Sequence, residues 1–160
     1  MGMDPIQIRK MVPEDMAPVM AILGKWNMAP RAADEDMPNP ERSGIDIGNS
    51  FVAVADLKIV GVGSYLHWDD ETAETASLAV DPSYKGKGIG YRLQMARLKE
   101  MKEKGYRRVR SESDRPETIQ WYMRKFGYRK TGLNPKKHAF SLEHVDSWTV
   151  LELDLDAFNA

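Results

Sequence analysis

The sequence predicts an α+β fold, with about seven strands in a mixed sheet and about four flanking helices. The segment 51–66 has the pattern of two strands joined by a short turn, which is typical of a β-hairpin. The segment 74–104 has the pattern of a strand, a glycine-rich turn and a long helix. Near the end of the chain Leu151, Leu153 and Leu155 alternate with acids, as in a half-buried strand. Hairpins combined with strand–helix units favour a mixed sheet covered by helices.

The first fifty residues contain one clear strand and one clear helix. Isoleucines alternate with a polar residue at 6–8, which predicts a short strand. Pro13 is followed by two acids, a pattern typical of a helix N-terminus, so a helix is predicted from 13 to about 26. Between 27 and 50, prolines and an acidic run break any long element, and we expect a short helix with flanking loops.

Glycines and prolines also fix the later boundaries. Gly105 and Gly127 suit the left-handed position that ends a helix. Pro116 suits the first turn of a helix, and Asp114 with Glu117 resembles a capping box. The remaining strands and helices are predicted, in chain order, at residues 51–55, 59–66, 74–80, 88–104, 107–113, 116–127, 128–132 and 149–155.

Composition restricts the class of protein. A chain of 160 residues suits one domain, 1–160, with a single core. The absence of cysteine excludes disulfides, thiolate metal sites and an acyl-cysteine intermediate. The three histidines and the scattered acids show no metal-ligand spacing, so we expect no metal. There is no apolar run of about 18 residues and no signal-peptide pattern, so we expect a cytoplasmic protein without membrane contact.

The net charge of −1 conceals a basic region. Residues 85–130 contain 15 Lys/Arg and 5 Asp/Glu, whereas the rest of the chain contains 8 and 19. Such a region favours an anionic ligand, although solvated helix faces would give the same count. Nucleic acid is a weaker interpretation, because no basic–aromatic motif or helix-turn-helix pattern accompanies the charge.

A glycine-rich loop lies at the start of this basic region. Gly86, Gly88 and Gly90 occupy every second position, and Lys85 and Lys87 lie beside them. A strand, a glycine turn and a helix form a common phosphate site, because glycine lets the backbone approach the ligand and the helix N-terminus attracts an anion. The loop therefore predicts a phosphate ligand.

Two common phosphate loops do not fit this spacing. A Walker A loop needs Lys-Ser/Thr after its last glycine, but Tyr91-Arg92 follows Gly90. A dinucleotide fingerprint needs Gly-x-Gly-x-x-Gly, which the order from Gly86 to Gly90 does not give.

The end of the predicted strand and the glycine loop together resemble the acetyl-CoA loop of the GNAT superfamily of N-acetyltransferases. The residues that carry this resemblance are Leu78-Ala79-Val80-Asp81-Pro82 and Tyr84-Lys85-Gly86-Lys87-Gly88-Ile89-Gly90. That loop has the pattern Gln/Arg-x-x-Gly-x-Gly/Ala. Lys85 takes the first position and keeps the positive charge, while Gly88 and Gly90 match.

A second segment, 118–128, resembles another conserved block of the family, in which Tyr122 precedes the Gly127-Tyr128 step by five residues. Asparagine is common seven residues before that tyrosine, but this chain has Arg115 there, which we expect to contact phosphate instead. The resemblance covers residues 51–132 well.

The resemblance implies a mostly antiparallel, twisted sheet and an acetyl-CoA-dependent N-acetyltransferase that acts by direct transfer in a ternary complex. A parted strand and the loop would hold the co-substrate, with Lys85, Lys87 and Arg92 beside its phosphates. The implied cofactor-binding residues are Leu78, Ala79, Val80, Lys85, Gly86, Lys87, Gly88, Ile89, Gly90, Tyr91 and Arg115.

Tyr122 is the implied general acid toward the leaving thiolate, and the alternative is a core tyrosine at i+3 from Ile119. Glu74 is the implied general base, acting through water, and the alternative is a solvent-exposed strand carboxylate. Three residues compete with Glu74 for this role: Glu112, Asp114 and His67.

The acidic remainder of the chain favours a cationic amine as acceptor. We expect Trp26, Met28 and Arg31 to line the acceptor site. A catalytically silent acyl-CoA-binding module and a nucleic-acid-binding protein are the alternatives to an enzyme, and a homodimer is left open.

Overall fold

The structure is a computed structural model that describes residues 5–26, 28, 45–136, 142 and 144–158. It contains a seven-stranded sheet in the order β1-β2-β3-β4-β5-β7-β6. Every neighbouring pair is antiparallel except β4 and β5, which are parallel. The strands are β1 (Ile6–Lys10), β2 (Ser50–Ala55), β3 (Lys58–Asp69), β4 (Thr72–Val80), β5 (Arg108–Ser113), β6 (Arg129–Pro135) and β7 (Ser147–Asp154).

Three α-helices accompany the sheet in the described residues: α1 (Met16–Lys25), α2 (Ile89–Glu103) and α3 (Pro116–Phe126). The predicted α+β fold with a mixed seven-stranded sheet is confirmed, with one α-helix fewer than expected. The short helix predicted between 27 and 50 lies mostly outside the described residues, apart from a 3-10 turn at Ile47–Asn49.

The prediction that glycines end two helices is confirmed, but the predicted capping box is wrong. Gly105 and Gly127 have φ angles of 92° and 82°. The N-cap of α3 is Arg115, whose amide donates to Ser113 Oγ at 3.2 Å. The Asp114 carboxylate instead accepts from Lys136 Nζ at 2.6 Å and from the Leu142 amide at 2.8 Å. These bonds hold the end of β6 against the start of α3.

The helices cover opposite faces of the sheet, which we call the α1 face and the α2 face. On the α1 face, Val19 and Leu23 pack with Val62. On the α2 face, α2 and α3 enclose a core that includes Leu98 and Phe126. Both sets of apolar side chains are buried, and burial of apolar area is the main term that holds helices to a sheet.

Strand β4 contains a bulge at Ser77, which has a φ angle of 53°. Ala76 pairs with Ser64 and Ala79 with Val62, so β4 has one more residue than β3 between these pairs. An extra residue reverses which face each later side chain meets. Leu78 therefore approaches α2, while Ala79 packs in the core of the α1 face.

Strands β4 and β5 separate soon after they meet. Their pairing runs from Thr72–Arg108 to Thr75–Ser111 and goes no further in the described residues. Residues 76–80 of β4 continue without a β5 partner, so the two strands part beyond Thr75. We call the region between the parted strands the β4–β5 cleft.

Candidate active site

The backbone of β4 beyond the bulge borders the β4–β5 cleft. The Asp81 amide donates to Val60 O on β3 at 2.8 Å, so the backbone of Asp81 faces β3. Because successive residues of a strand face opposite neighbours, Ala79 also faces β3, while Leu78 and Val80 face the cleft. Of the three residues predicted to offer backbone groups, two are therefore on the cleft side.

One of these backbone groups already has a partner. The indole Nε1 of Trp26, at the end of α1, donates to Val80 O at 2.9 Å. This bond ties the end of α1 to the end of β4 at the outer part of the cleft. The backbone of Leu78 lies deeper, nearer to Ala76, where the strands separate.

The glycine loop after β4 is open and offers unpaired donors. Gly86 and Gly88 have φ angles of 80° and 76°, and a Cβ atom at either would meet no atom within 4 Å. The Arg92 amide donates to Gly88 O at 3.1 Å in the first turn of α2. In the part of the chain that the structure describes, no amide from Gly86 to Tyr91 has a hydrogen-bond partner. These amides fit an anionic group such as a diphosphate.

The flanks of this loop differ in character. Lys85 and Lys87 are exposed, whereas the Ile89 side chain is buried in the core and leaves only its backbone to a ligand. Tyr91 stacks on Phe126 of α3 at 5.5 Å between ring centroids. The Trp121 ring lies 3.9 Å from the Cβ position of Gly90, so α3 packs beside the loop.

Arg115 lies beside Trp26. Its Nη2 donates to Trp26 O at 3.2 Å, and its guanidinium carbon lies 5.1 Å from the centroid of the Trp26 ring. The residue expected to contact phosphate and a residue expected to line the acceptor site are thus brought together. Met28 packs against the core of the α1 face, and Arg31 lies outside the described residues.

The ring of Tyr122 lies in the core and is 4% exposed, in agreement with the core-tyrosine alternative. Its hydroxyl oxygen, however, is 3.1 Å from Arg97 Nη2. The Nη1 of the same arginine donates to Ser64 O at 2.9 Å and to Ala76 O at 3.1 Å. Since Ala76 directly follows the last β4–β5 pair, the Tyr122 hydroxyl lies at the inner end of the cleft.

A buried hydrogen-bond network continues from this hydroxyl. Gln94 Oε1 accepts from Arg97 Nη2, and Gln94 Nε2 donates to Tyr128 Oη at 2.8 Å. Burial raises the pKa of Tyr128; the nearby Tyr122 raises it further, and the positive charge of Arg97 opposes the rise.

Glu74 is buried on the α1 face at 5% exposure, so the exposed-carboxylate alternative is wrong. It forms an ion pair with Arg110, its neighbour across the β4–β5 pairing. Arg110 Nη2 also donates to Glu112 Oε1 at 3.1 Å, and its guanidinium lies 3.9 Å from the centroid of the Trp68 ring. Asn134 Nδ2 donates to the same Glu112 oxygen at 2.6 Å. Two candidate bases thus share one guanidinium.

The other two candidate bases are placed differently. Asp114 is buried in its ion pair with Lys136. His67 Nδ1 lies 2.8 Å from Tyr106 Oη at an exposed position. His67 pairs with Ala73, which faces the core of the α2 face, so it lies on the face opposite Glu74. Neither Asp114 nor His67 therefore lies in the cluster that Arg110 forms with Glu74 and Glu112.

Comparison with known proteins identifies the family. The model of the acetyltransferase (GNAT) family matches residues 20–128. The chain belongs to this family. A search of curated proteins finds no match. The matched segment includes β4, the glycine loop, α2 and α3, and the chain is an acyltransferase of the GNAT family.

Solved structures share the GNAT fold at low sequence identity. Ard1 from Thermoplasma volcanium has a TM-score of 0.75 at 20% identity, over 94% of this chain and 98% of that one. The candidate acetyltransferase yncA from Salmonella typhimurium, with its cofactor acetyl-CoA, gives 0.73 at 18% identity, over 98% of both chains. The ribosomal-protein-S18-alanine N-acetyltransferase from Escherichia coli gives 0.72 at 15% identity, over 94% of both chains.

Two further observations concern the described residues of this GNAT chain. Among the described residues, no group of three or more His, Cys, Asp or Glu side chains could hold a metal ion. No helix in the described part of the chain is long and apolar enough to cross a membrane.

Sequence reasoning missed two arginines of this GNAT site. Arg97 and Gln94 interrupt the apolar positions of α2, and this interruption was the available signal for a buried polar network. Arg110 lies 36 positions from Glu74, and only the parallel pairing of β4 with β5 brings the two together.

Proposed function

We propose that this chain transfers an acetyl group from acetyl-CoA to a primary amine of a small molecule or peptide, by direct attack in a ternary complex. The observation that carries the proposal is the loop from Gly86 to Tyr91, an open turn that follows β4 and whose amides have no hydrogen-bond partner among the described residues. A diphosphate on the loop would direct the thioester arm along the cleft.

The loop residues would hold the phosphates of acetyl-CoA. The amides from Gly86 to Tyr91 would donate to phosphate oxygens, and the N-terminus of α2 would add a partial positive charge. Lys85, Lys87 and Arg92 would supply further positive charge. We expect the amides of the pantetheine arm to bond the cleft-facing backbone of β4, chiefly at Leu78, because Val80 O already accepts from Trp26.

The reaction needs a neutral amine, a polarised thioester and a proton for the leaving thiolate. Acetyl-CoA supplies the thioester. Tyr122 is proposed as the general acid, because its hydroxyl lies at the inner end of the cleft. Glu74 is proposed as the base that accepts the amine proton through water.

The charges around Arg110 support a cationic acceptor. Glu74 and Glu112 place two carboxylates around a single guanidinium, so these three side chains together have a charge of −1 when all are ionised. A protonated amine would be attracted to such a cluster before it loses its proton. The acceptor would then approach from the α1 face, where Trp26 covers the outer part of the cleft.

An acceptor screen scored by CoA release tests the proposal. We expect turnover with at least one class among polyamines, amino sugars, amino acids and peptides. Binding of CoA without turnover of any amine would favour a silent acyl-CoA-binding module. Salt-sensitive binding of DNA or RNA that CoA does not displace would favour a nucleic-acid-binding protein.

A glycine pair tests the binding loop directly. Gly88→Ala adds a methyl group at a φ angle of 76°, into the open side of the loop. Gly24→Ala adds the same group in α1, also with no atom within 4 Å, where φ is not positive. Calorimetry should show that the first substitution weakens CoA binding about 10-fold or more, since a misplaced donor or a steric contact costs at least 1–2 kcal/mol. Equal CoA affinity in the two variants would refute the role of the loop.

A second pair tests the base. Glu74→Gln should lower kcat by about 100-fold or more if Glu74 accepts the proton. Glu112→Gln changes the same charge beside the same guanidinium and should lower kcat far less. The reverse order in steady-state rates would move the base to Glu112.

A further inference from the structure

Arg97 is a buried cation without a counter-ion in the described residues. It is 0% exposed, and its partners are neutral oxygens, namely Ser64 O, Ala76 O, Gln94 Oε1 and Tyr122 Oη. Its Nε has no partner among the described residues. An unpaired buried charge costs several kcal/mol, so a fold that keeps one suggests that a negative charge forms nearby during function.

The direction of the Arg97–Tyr122 bond is fixed by chemistry. A guanidinium has donors but no acceptor, so Arg97 Nη2 donates and the Tyr122 oxygen accepts. The Tyr122 proton is therefore left to donate to another group. Because Arg97 Nη1 also donates to Ala76 O, the hydroxyl is held where β4 and β5 separate.

We propose that Arg97 is a positioning residue that acts through Tyr122, as the counter-charge for the phenolate that forms when Tyr122 gives up its proton. This inference rests on the proposed function, because it takes Tyr122 to be the general acid. It adds a residue of α2 that neither touches the substrate nor lies in the glycine loop.

The proton balance is simple. As the amine nitrogen bonds the acetyl carbon, the carbon–sulfur bond breaks and the electron pair remains on sulfur. The Tyr122 O–H bond breaks and an S–H bond forms, which leaves a phenolate beside the Arg97 guanidinium. The amine nitrogen loses its own proton, which passes through water to Glu74 and then to solvent. One proton from solvent restores the phenol before the next turnover, so the amine has lost one proton and the thiol has gained one.

Among the described residues, Arg97 is the only charged neighbour of Tyr122 that could act as a counter-charge for the phenolate. Tyr128 is the other titratable group beside it, with 4.9 Å between the ring centroids, and it carries no charge at neutral pH. The core neighbours from β4, β5 and β7 include Ala73, Val109 and Leu151, which do not titrate.

Kinetics with the amine found in the screen provide the first test. Arg97→Gln removes the charge and should lower kcat about 10-fold or more, the loss expected for one charge-assisted hydrogen bond, with little change in KM for acetyl-CoA. Arg97→Lys keeps the charge and should recover part of that loss. In a Tyr122→Phe background, Arg97→Gln should cause no further loss. An equal loss in both backgrounds would overturn the proposal.

Ligand binding provides a test that does not need turnover. If the Tyr122 hydroxyl donates to sulfur, the wild-type protein should bind CoA about 10-fold more tightly than desulfo-CoA. Both Tyr122→Phe and Arg97→Gln should reduce this ratio toward one. An unchanged ratio in Arg97→Gln, or a ratio of one in the wild-type protein, would overturn the inference even if the enzyme is active. A failed acceptor screen with the expected ratios would instead count against the proposed function alone.

Tyr65→Phe is the matched control. Tyr65 is also a buried tyrosine whose hydroxyl bonds a charged residue of α2, Glu100, at 2.5 Å. This substitution should leave both kcat and the CoA to desulfo-CoA ratio unchanged. If Arg97→Gln does not fold, the CoA to desulfo-CoA ratio of Arg97→Lys is compared with that of Tyr122→Phe. If Arg97→Lys, which keeps the charge, gives the same ratio as Tyr122→Phe, the counter-charge role is refuted.

Discussion

Two buried arginines lie on opposite faces of the sheet and are paired in opposite ways. Arg110, on the α1 face, has two carboxylate partners, Glu74 and Glu112, and a tryptophan ring over its guanidinium. Arg97, on the α2 face, has only neutral oxygen partners in the described residues. The positive charge of Arg110 is cancelled locally, whereas that of Arg97 remains available at the inner end of the cleft.

This difference shows that burial alone does not define the role of a charged residue. A guanidinium that is matched by carboxylates mainly orients them. One that is left unmatched in a low-dielectric core produces a strong local field, which is useful only where negative charge develops. In this GNAT domain the matched arginine lies on the side proposed for the acceptor, and the unmatched one lies beside the proposed acid.

Removal of each arginine gives the largest expected effect on stability. Arg110→Met removes the ion-pair partner of the buried Glu74 carboxylate and should lower the free energy of unfolding by about 3–5 kcal/mol. Arg97→Met loses hydrogen bonds to neutral acceptors but also removes a buried charge that is costly to desolvate, so the free energy of unfolding should change by no more than about 1–2 kcal/mol. Urea denaturation of both variants measures the difference. The double variant Glu74→Gln/Arg110→Met should recover part of the larger loss, and equal losses in the two single variants would contradict the comparison.

The next effect is expected for an ion pair between the exposed Arg9 and the buried Asp15, which shows what a solvent-exposed guanidinium contributes. Arg9 donates to both oxygens of Asp15, at 2.7 and 3.0 Å. These hydrogen bonds lower the pKa of Asp15. Burial opposes the decrease, and the hydrogen bond from the Val12 amide adds to it. The stabilisation is thus present above the unfolded pKa of about 4 and is lost as pH falls through the folded pKa. Asp15→Asn should cost about 1 kcal/mol at neutral pH.

The pH dependence of that difference is the check. Denaturation curves of wild-type protein and Asp15→Asn should converge as the solution becomes acidic. A difference that persists well below pH 4 would mean that the carboxylate charge is not responsible.

The smallest effect at neutral pH is expected for Tyr65. Burial and the neighbouring Glu100 carboxylate raise its pKa above the ordinary value. A tyrosine with a raised folded pKa gives stability that is lost as pH rises above about 10, the unfolded pKa. Tyr65→Phe should therefore change stability by about 1 kcal/mol or less at neutral pH and flatten the alkaline decrease. Thermal melts at several alkaline pH values measure this, and an equally steep decrease in the variant would exclude Tyr65 as its source.

The framework of this domain could be predicted from the sequence because its signals are local. Alternating side chains predicted strands, and Gly105 and Gly127 marked helix ends that the structure confirms. The glycine loop could be found because Gly86 and Gly88 need φ angles that other residues rarely adopt.

The site could be predicted only in part, because its contacts depend on pairing across the sheet. No local pattern shows that Arg110 will meet Glu74, or that Arg115 will lie beside Trp26. The φ angle of 53° at Ser77 also has no sequence signal, since serine rarely adopts that conformation.

The bulge at Ser77 divides β4 into two parts that pair with different numbers of strands. Before it, the strand joins β3 to β5 and presents Glu74 to the α1 face. After it, β3 is the only strand that pairs with β4 in the described residues, and the main chain of Leu78 and Val80 faces away from β3. A single additional residue thus lets one strand pair with two neighbouring strands at one end and present main-chain groups to a ligand at the other. The strand does this without any glycine in its length.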